Sequence, residues 1–384
     1  MVAPIGCSSA FPVKSSYKRL GSILTLILKL FSSAIITSRP LDAQRLAERL
    51  RAQKGDQQKV PAVLCDKLKR KSQVSTNPVQ RRVSELVWFT RQLQQVHPNV
   101  LAKALCRGIL HQDEDLVIVN KSYSVPVHGG PDVQLCISDV LPILAKMLHG
   151  QKAEPLHLCH RLDKETMGLM VLAWEKEVAH QVQELFQTRQ VAKKYWAITV
   201  RVPVHSAGVV DIPILEKEVQ GQQHHCKMTL APRYLMDNGK IVKVRGTQNA
   251  LVALTQYQVL SSTFSSALLE LLPVTGVKHQ LRVHLSFGLD CPVLGDHKYS
   301  DRNRLDPQKL SLSILKKLGL KQSKARHIPL HLHARQLILP ASGSRKEDLN
   351  LVCKLPHFFV QSLHRLGLEM PSKTRDDEAG HLGA

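Results

Sequence analysis

HRLDKETMG, residues 160–168, places Arg161 and Asp163 two positions apart, immediately ahead of an uninterrupted apolar run at 169–174. On an extended segment, residues two apart project to the same side, so both charged groups face one way beside a strand that must be buried. An ionisable pair held against a buried strand is the arrangement of an active site.

The surroundings of that stretch alternate strand and helix signals. Residues 116–120 (LVIVN) form a short apolar strand, and residues 138–149 predict a helix with Ser138 as N-cap, an inner stripe of Leu141, Leu144 and Leu148, and Gly150 beyond its end. After the 169–174 run, residues 175–189 carry Val178, Val182, Leu185 and Phe186 at helical spacing. Residues 195–202, 251–260 and 267–274 then read as strands with no helix between the last two. Successive strands of this kind predict an α+β fold with a mixed, mainly antiparallel sheet rather than a doubly wound one.

Composition limits what such a core can serve. The 384 residues exceed a usual single core, so one large domain with extensions, or two domains, is expected. Lys and Arg number 53 against 31 Asp and Glu, an excess that favours a polyanionic partner, because neutralising phosphates releases counterions. Lys29 interrupts the most apolar stretch, 20–37, so no spanning helix and no stable membrane insertion are expected. Eight cysteines without a CxxC pair fit neither a zinc ribbon nor a secreted disulfide framework. Two clusters, His157/Cys159/His160 and His224/His225/Cys226, have metal-binding residue types but no second ligand pair at a recognisable spacing, so structural or solvated roles are expected for them.

Residues 1–41 contain no Asp or Glu, carry Lys14, Lys18, Arg19, Lys29 and Arg39, and are rich in Ser and Leu, the composition of a mitochondrial transit peptide. Residues 42–105 are polar and basic and read as a linker with one or two short helices, 42–53 among them; the clusters KLKRK (67–71) and Arg81–Arg82 are either a solvated face or an RNA contact. The expected organisation is a leader (1–41), a basic extension (42–105), a catalytic domain (106–345) and a C-terminal extension with a polar tail (346–384).

Three segments in the core carry the chemistry: HRLDKETMG, VAKKYWA (191–197) and TGVKHQLRVHL (275–285). With VNKSYSVPVHGG (119–130) upstream and GDHKY (295–299) and LHLHA (330–334) downstream, they resemble, in order, the motifs of the RluA-type pseudouridine synthases. The resemblance runs from residue 116 to about 340, and with the leader it is similar to the mitochondrial members. It implies that family's catalytic fold, a sheet with flanking helices around a basic central cleft, and an enzyme that turns uridine into pseudouridine by breaking the C1′–N1 bond and rejoining the sugar to C5.

By the same resemblance Asp163 is the nucleophilic carboxylate, and a carboxylate suits the role because it can attack either the sugar carbon or the base and then leave. Arg161 is implied to fill the gap left by the flipped uridine. Tyr195 is implied to stack on the flipped base and to accept the C5 proton, although a phenol of ordinary pKa is a poor base, which makes stacking the safer half. Arg282 is implied to pair with the catalytic carboxylate, holding it ionised; His160, Lys193, His279 and Leu281 complete the expected substrate contacts. Read without the resemblance, Asp163 could cap a turn or pair with Arg161, Arg161 and Arg282 could each contact a phosphate, and Tyr195 could be a core residue.

Met167, Val277 and Ser122 depart from the family's usual Ser, Arg and Pro, and the loss of an arginine at Val277 bears on RNA grip. The small N-terminal RNA-binding module of some relatives has no counterpart here. Isomerisation rearranges existing bonds, so no cofactor or metal is expected. The expected partner is mitochondrial ribosomal, transfer or messenger RNA in the matrix, compatible with association with RNA granules or the assembling mitoribosome. The competing reading is a catalytically silent RNA-binding assembly factor on the same fold; a hydrolase using His160 and Asp163 ranks below both, for want of a nucleophilic Ser or Cys in a recognisable elbow.

Overall fold

The computed structural model describes residues 77–371 apart from 94, 131–132, 220–225, 233, 238–239, 244–248 and 342–344. The leader, the helix expected at 42–53, the KLKRK cluster, His224 and His225 lie outside the described residues.

In chain order the elements are α1 (Pro78–Arg91), α2 (Pro98–Arg107), β1 (Ile109–Gln112), β2 (Leu116–Lys121), α3 (Ile137–His149), β3 (His157–Leu158), β4 (Met167–Ala173), α4 (Lys176–Gln187) and β5 (Ala192–Val200). They continue with β6 (Ala207–Asp211), β7 (Ile214–Glu218), β8 (Cys226–Leu230), β9 (Tyr234–Asp237), β10 (Lys240–Lys243), β11 (Leu254–Thr263), β12 (Ser266–Pro273) and α5 (Gln280–Val283), which runs into a π-type turn, His284–Gly288. The last are α6 (Leu312–Leu318), a 3₁₀ turn (Gln322–His327), β13 (Leu332–Leu339), β14 (Leu349–Val352) and α7 (His357–Leu366).

Ten strands form one sheet in the order β1-β2-β4-β13-β5-β12-β11-β6, with β14 on β13 and β3 on β4. Among the described residues only β4 and β13 pair in parallel, so the mixed, mainly antiparallel α+β fold expected from the sequence is the one that forms. β4 reads MGLMVLA and is buried along its whole length, because both faces of the sheet are covered there. Leu169 and Val171 face Ala179 and Val182 of α4, while Met170 and Leu172 face α2 and α3. β5 divides the same way: Trp196, Ile198 and Val200 pack under α1, α6 and α7, and Ala197 packs with Leu269, Leu281 and Leu285.

Two local differences from expectation have simple causes. α3 starts at Ile137 rather than after Ser138, because the Asp139 carboxylate accepts the Cys136 backbone N–H at 2.9 Å and caps the helix earlier. The stretch expected as a linker contributes two helices to the core. In α1, which Asn77 caps by accepting from Val79 and Gln80, Leu86 is buried and Phe89 packs its ring on Tyr123 and Phe358. Arg82 belongs to this packing: it is 6% exposed and donates to Gln361 and Glu85, so it is a structural residue and not part of an RNA-facing cluster.

The 160–168 stretch is pinned at its end by Gly168, whose φ of +110° and close approach to β13 leave no room for a side chain. A Cβ there would stand 2.2 Å from the Ala334 carbonyl oxygen. The loop is thus fixed where β4 meets β13, at the join between the two halves of the sheet.

Candidate active site

Tyr195 packs against both the cluster that contains Leu162 and the one that contains Leu281. The residue after each of those leucines, Asp163 and Arg282, is thereby brought to one place from sequence positions far apart. A cavity of about 300 Å³ opens there, lined by Arg161, Asp163, Lys164, Glu165, His279, Arg282 and Lys298. Two other cavities, about 460 and 580 Å³, are larger, so its converging ionisable groups and not its size single it out.

Arg282 is 4% exposed at the floor. Its Nε and Nη2 donate to the two oxygens of Asp296 at 2.8 and 2.7 Å, and Nη1 donates to Glu165 at 3.3 Å. Its charge also lies over the Tyr299 ring, 5.0 Å from the centroid. The direct pairing of Arg282 with Asp163 expected from sequence is therefore not what forms; Asp296 takes the guanidinium fork, and Arg282 acts on Asp163 through space. Burial alone would raise Asp296, but Arg282 and the backbone N–H groups of Tyr299 and Lys298 outweigh it and hold this carboxyl below the usual range.

Asp163 behaves oppositely. Burial, with the neighbouring Glu165, raises its pKa by more than Arg282, Arg161 and Lys121 lower it. Arg282 still pulls this carboxyl down, but burial together with Glu165 outweighs it, so the carboxyl stands above its ordinary range.

His279 also faces Asp163, its Nε2 standing 3.8 Å from Oδ1. His279 adopts a left-handed backbone, φ +56°, which turns its ring back toward Asp163 and Tyr299 at the start of α5. Burial, then the charges of Arg282 and Lys298, push His279 down to about 2, so it is a neutral imidazole and not an ion-pair partner. Tyr299 is fully buried and accepts the Met228 N–H. When its own hydroxyl proton goes to His279 Nδ1, Nε2 carries the ring proton and presents it to Asp163.

Lys121 supports the loop from below. It is fully buried, and its ammonium donates to the carbonyls of Ser122 at 3.1 Å, Lys164 at 3.0 Å and Thr166 at 2.8 Å. Burial pulls it down to about 7 while Glu165 and Asp163 oppose that fall.

Among the expected contacts, Arg161 is exposed at the cavity mouth and His279 lies inside it. His160, Lys193 and Leu281 do not line it. His160 accepts the Val171 N–H at 3.0 Å and packs its ring on Phe186, and Lys193 lies over the same phenyl ring at 5.7 Å, so both belong to the α4 side of the sheet. Leu281 is core. Asp296, Tyr299 and Lys121 are the working residues that the sequence reading left unassigned, although GDHKY and VNKSYSVPVHGG, the motifs that hold them, were in view. Among the described residues no group of three or more His, Cys, Asp or Glu stands close enough to hold a metal ion.

Comparison with known proteins places this geometry. The RNA pseudouridylate synthase family model matches residues 115–287, and the human mitochondrial pseudouridylate synthase RPUSD4 is 70% identical over the full length of both chains. The chain belongs to the RNA pseudouridylate synthase family. It is similar, at 29% identity over 70% of this chain and 79% of the relative, to the human mitochondrial mRNA pseudouridine synthase RPUSD3. The solved structure of human RNA pseudouridylate synthase domain containing 4 is 75% identical, with a TM-score of 0.65, and covers 72% of this chain and 98% of that one. The chain is accordingly a mitochondrial enzyme that forms pseudouridine in RNA.

Proposed function

We propose that this enzyme isomerises specific uridines of mitochondrial matrix RNA with Asp163 as the nucleophile. The observation that carries the reading is the convergence on one cavity of the half-buried Asp163 carboxyl, an exposed Arg161 at its mouth and a buried Arg282, bonded to Asp296, at its floor; burial raises the Asp163 carboxyl there. A carboxylate desolvated in this way is more basic and more nucleophilic than one in water.

The flipped uridine enters past Arg161, which takes its place in the stack. Tyr195 lies against its ring. Asp163 attacks either the sugar carbon or the base, the C1′–N1 bond breaks, and the base turns so that C5 meets C1′. The C1′–C5 bond forms, the bond to Asp163 breaks to free the carboxylate, the C5 hydrogen leaves as a proton to water, and N1 takes up a proton in place of the sugar. Tyr195 is raised by burial and then by the charge of Asp163, so its phenol is neutral at physiological pH, which supports stacking over service as a free base. Nε2 of His279, 3.8 Å from the carboxylate, turns the positive end of a neutral dipole toward it.

The test is release of tritium from C5-labelled ribosomal, transfer and messenger transcripts of mitochondria, by the parent enzyme and Asp163→Ala. Release that depends on Asp163 supports the reading and allows the site to be mapped. Release that survives in Asp163→Ala removes Asp163 from the role, and none from any transcript class places the substrate outside mitochondrial RNA.

A further inference from the structure

We propose that the enzyme has a second RNA-binding site, a basic cavity beside the catalytic one that holds the phosphodiester backbone of the strand flanking the target uridine. The cavity, about 580 Å³, shares Lys164, Glu165, Arg282 and Lys298 with the catalytic cavity, so the two are continuous. Its far wall comes from outside the span that matches the family model: Arg91 at the end of α1, and Arg326 with His327 in the 3₁₀ turn.

Charge decides what this groove takes. Arg91, Lys164, Lys298 and Arg326 converge on it, and none of the four has a carboxylate partner within 4 Å among the described residues. The one carboxylate in the wall, Glu165, is already engaged by Arg282. The charges of Lys324, Arg326 and Arg91 all bear on His327, which places them around one point. Unpaired cations lining a continuous open groove attract a polyanion, and the polyanion present during catalysis is the RNA itself.

A second feature favours a nucleic-acid strand over a lone phosphate. Trp88 stands one turn before Arg91 on α1 and is 68% exposed, whereas the adjacent Phe89 packs against the core. An exposed indole one helical turn from a groove-lining arginine is a stacking platform for an unpaired base. α1 therefore serves the substrate as well as the core: its inner face anchors it through Leu86 and Phe89, and its outer end reaches the strand.

This inference rests on the enzyme acting on RNA, and the experiment separates the two. Binding of a fluorescein-labelled single-stranded RNA is measured by anisotropy between ~0.05 and ~0.2 M salt, for the parent, for Arg91→Ala/Arg326→Ala, and for a control, Lys146→Ala/Lys176→Ala, which removes equal charge from exposed positions on α3 and α4. Loss of two phosphate contacts lowers the slope of log affinity against log salt by about 1.4, and weakens binding about tenfold or more near physiological salt. The control keeps the parent slope. Trp88→Ala weakens binding without moving the slope. An Arg91/Arg326 variant with the parent slope, or a control that falls equally, overturns the proposal. Parent protein that shows the slope difference yet releases no tritium keeps this site and removes the substrate reading instead.

Discussion

Asp296→Asn tests the electrostatic frame of the site. The substitution keeps the shape of the side chain and an oxygen for the Lys298 and Tyr299 N–H groups, but it turns one arm of the fork into an NH₂ that faces the guanidinium donor to donor. Arg282 and Asp296 are 4% and 0% exposed, and the two bonds between them are 2.8 and 2.7 Å. Removing one partner of such a pair leaves a buried charge uncompensated and costs about 3–5 kcal/mol. At about 2–4 °C per kcal/mol, the melting temperature falls by roughly 6–20 °C in scanning calorimetry. The second consequence is at Asp163. Arg282, no longer neutralised, lowers that carboxyl further, so the acid limb of kcat/KM from tritium release moves to lower pH. Replacing both partners with apolar residues, Arg282→Met with Asp296→Leu, restores most of the stability and none of the activity, because the cost lies in the orphaned charge and not in the missing pair. A melting temperature within about 2 °C of the parent for Asp296→Asn would refute the reasoning, as would a double variant no more stable than the single one.

Three further outcomes follow from the same geometry. Asp163 has a folded pKa above its unfolded one, so between those values the native state holds a proton that the unfolded state has lost, and the contribution of Asp163 to stability declines as pH rises through that window. Asp163→Asn is thus more stable than the parent at neutral pH in urea unfolding, with the advantage shrinking on acidification; a less stable variant at neutral pH would mean that Arg282, Arg161 and Lys121 outweigh burial. Tyr195→Phe keeps the ring and therefore KM, whereas Tyr195→Ala raises KM as well as lowering kcat; a raised KM in the Phe variant would assign the hydroxyl, and not the ring, to holding the base. Lys121→Met leaves the carbonyls of Lys164 and Thr166 without their donor, costs about 2–5 kcal/mol, and increases amide exchange across 160–168; unchanged exchange there would show that the loop is held by other means.

Much of the frame was legible because period and order survive in sequence. The 116–120 strand, the 175–189 helix and the antiparallel pair at 251–274 each appear within a few residues of the expected place. Arg161 and Asp163 share the cavity as two-residue alternation requires. That same alternation sets His160 opposite Arg161, and the structure does turn His160 to the α4 side, so its assignment as a substrate contact ignored a signal that was present. The partner of Arg282 was not legible. The chain leaves α5 through a π-type turn and returns at Gly295, where φ is +81° and a Cβ would meet the Pro329 carbonyl oxygen at 2.0 Å. Only that return brings Asp296 under Arg282. Lys121 was hidden for a similar reason: a lysine at the end of a strand is usually solvated, and only the carbonyls of Lys164 and Thr166, brought from across the fold to join that of the adjacent Ser122, explain why this one is not.

The site's arrangement explains why an arginine can stand beside a nucleophilic carboxylate without disabling it. A bare guanidinium next to Asp163 would favour the ionised form so strongly that the carboxylate became a weak base and a weak nucleophile. Asp296 and Glu165 both bond to that guanidinium, and His279 is kept neutral by its surroundings, so it offers Asp163 a dipole and not a second cation. At Asp163 burial then prevails, opposed first by Arg282 and after it by Arg161 at the mouth and Lys121 beneath. Arg282 still supplies a fixed positive field when negative charge develops on the base or the sugar oxygen, because its orientation is locked by two bonds that do not change during the reaction. The buried pair therefore costs little net stability when whole and lets Asp163 remain reactive, which is why the Asp296→Asn pH profile, more than its melting temperature, bears on how the enzyme works.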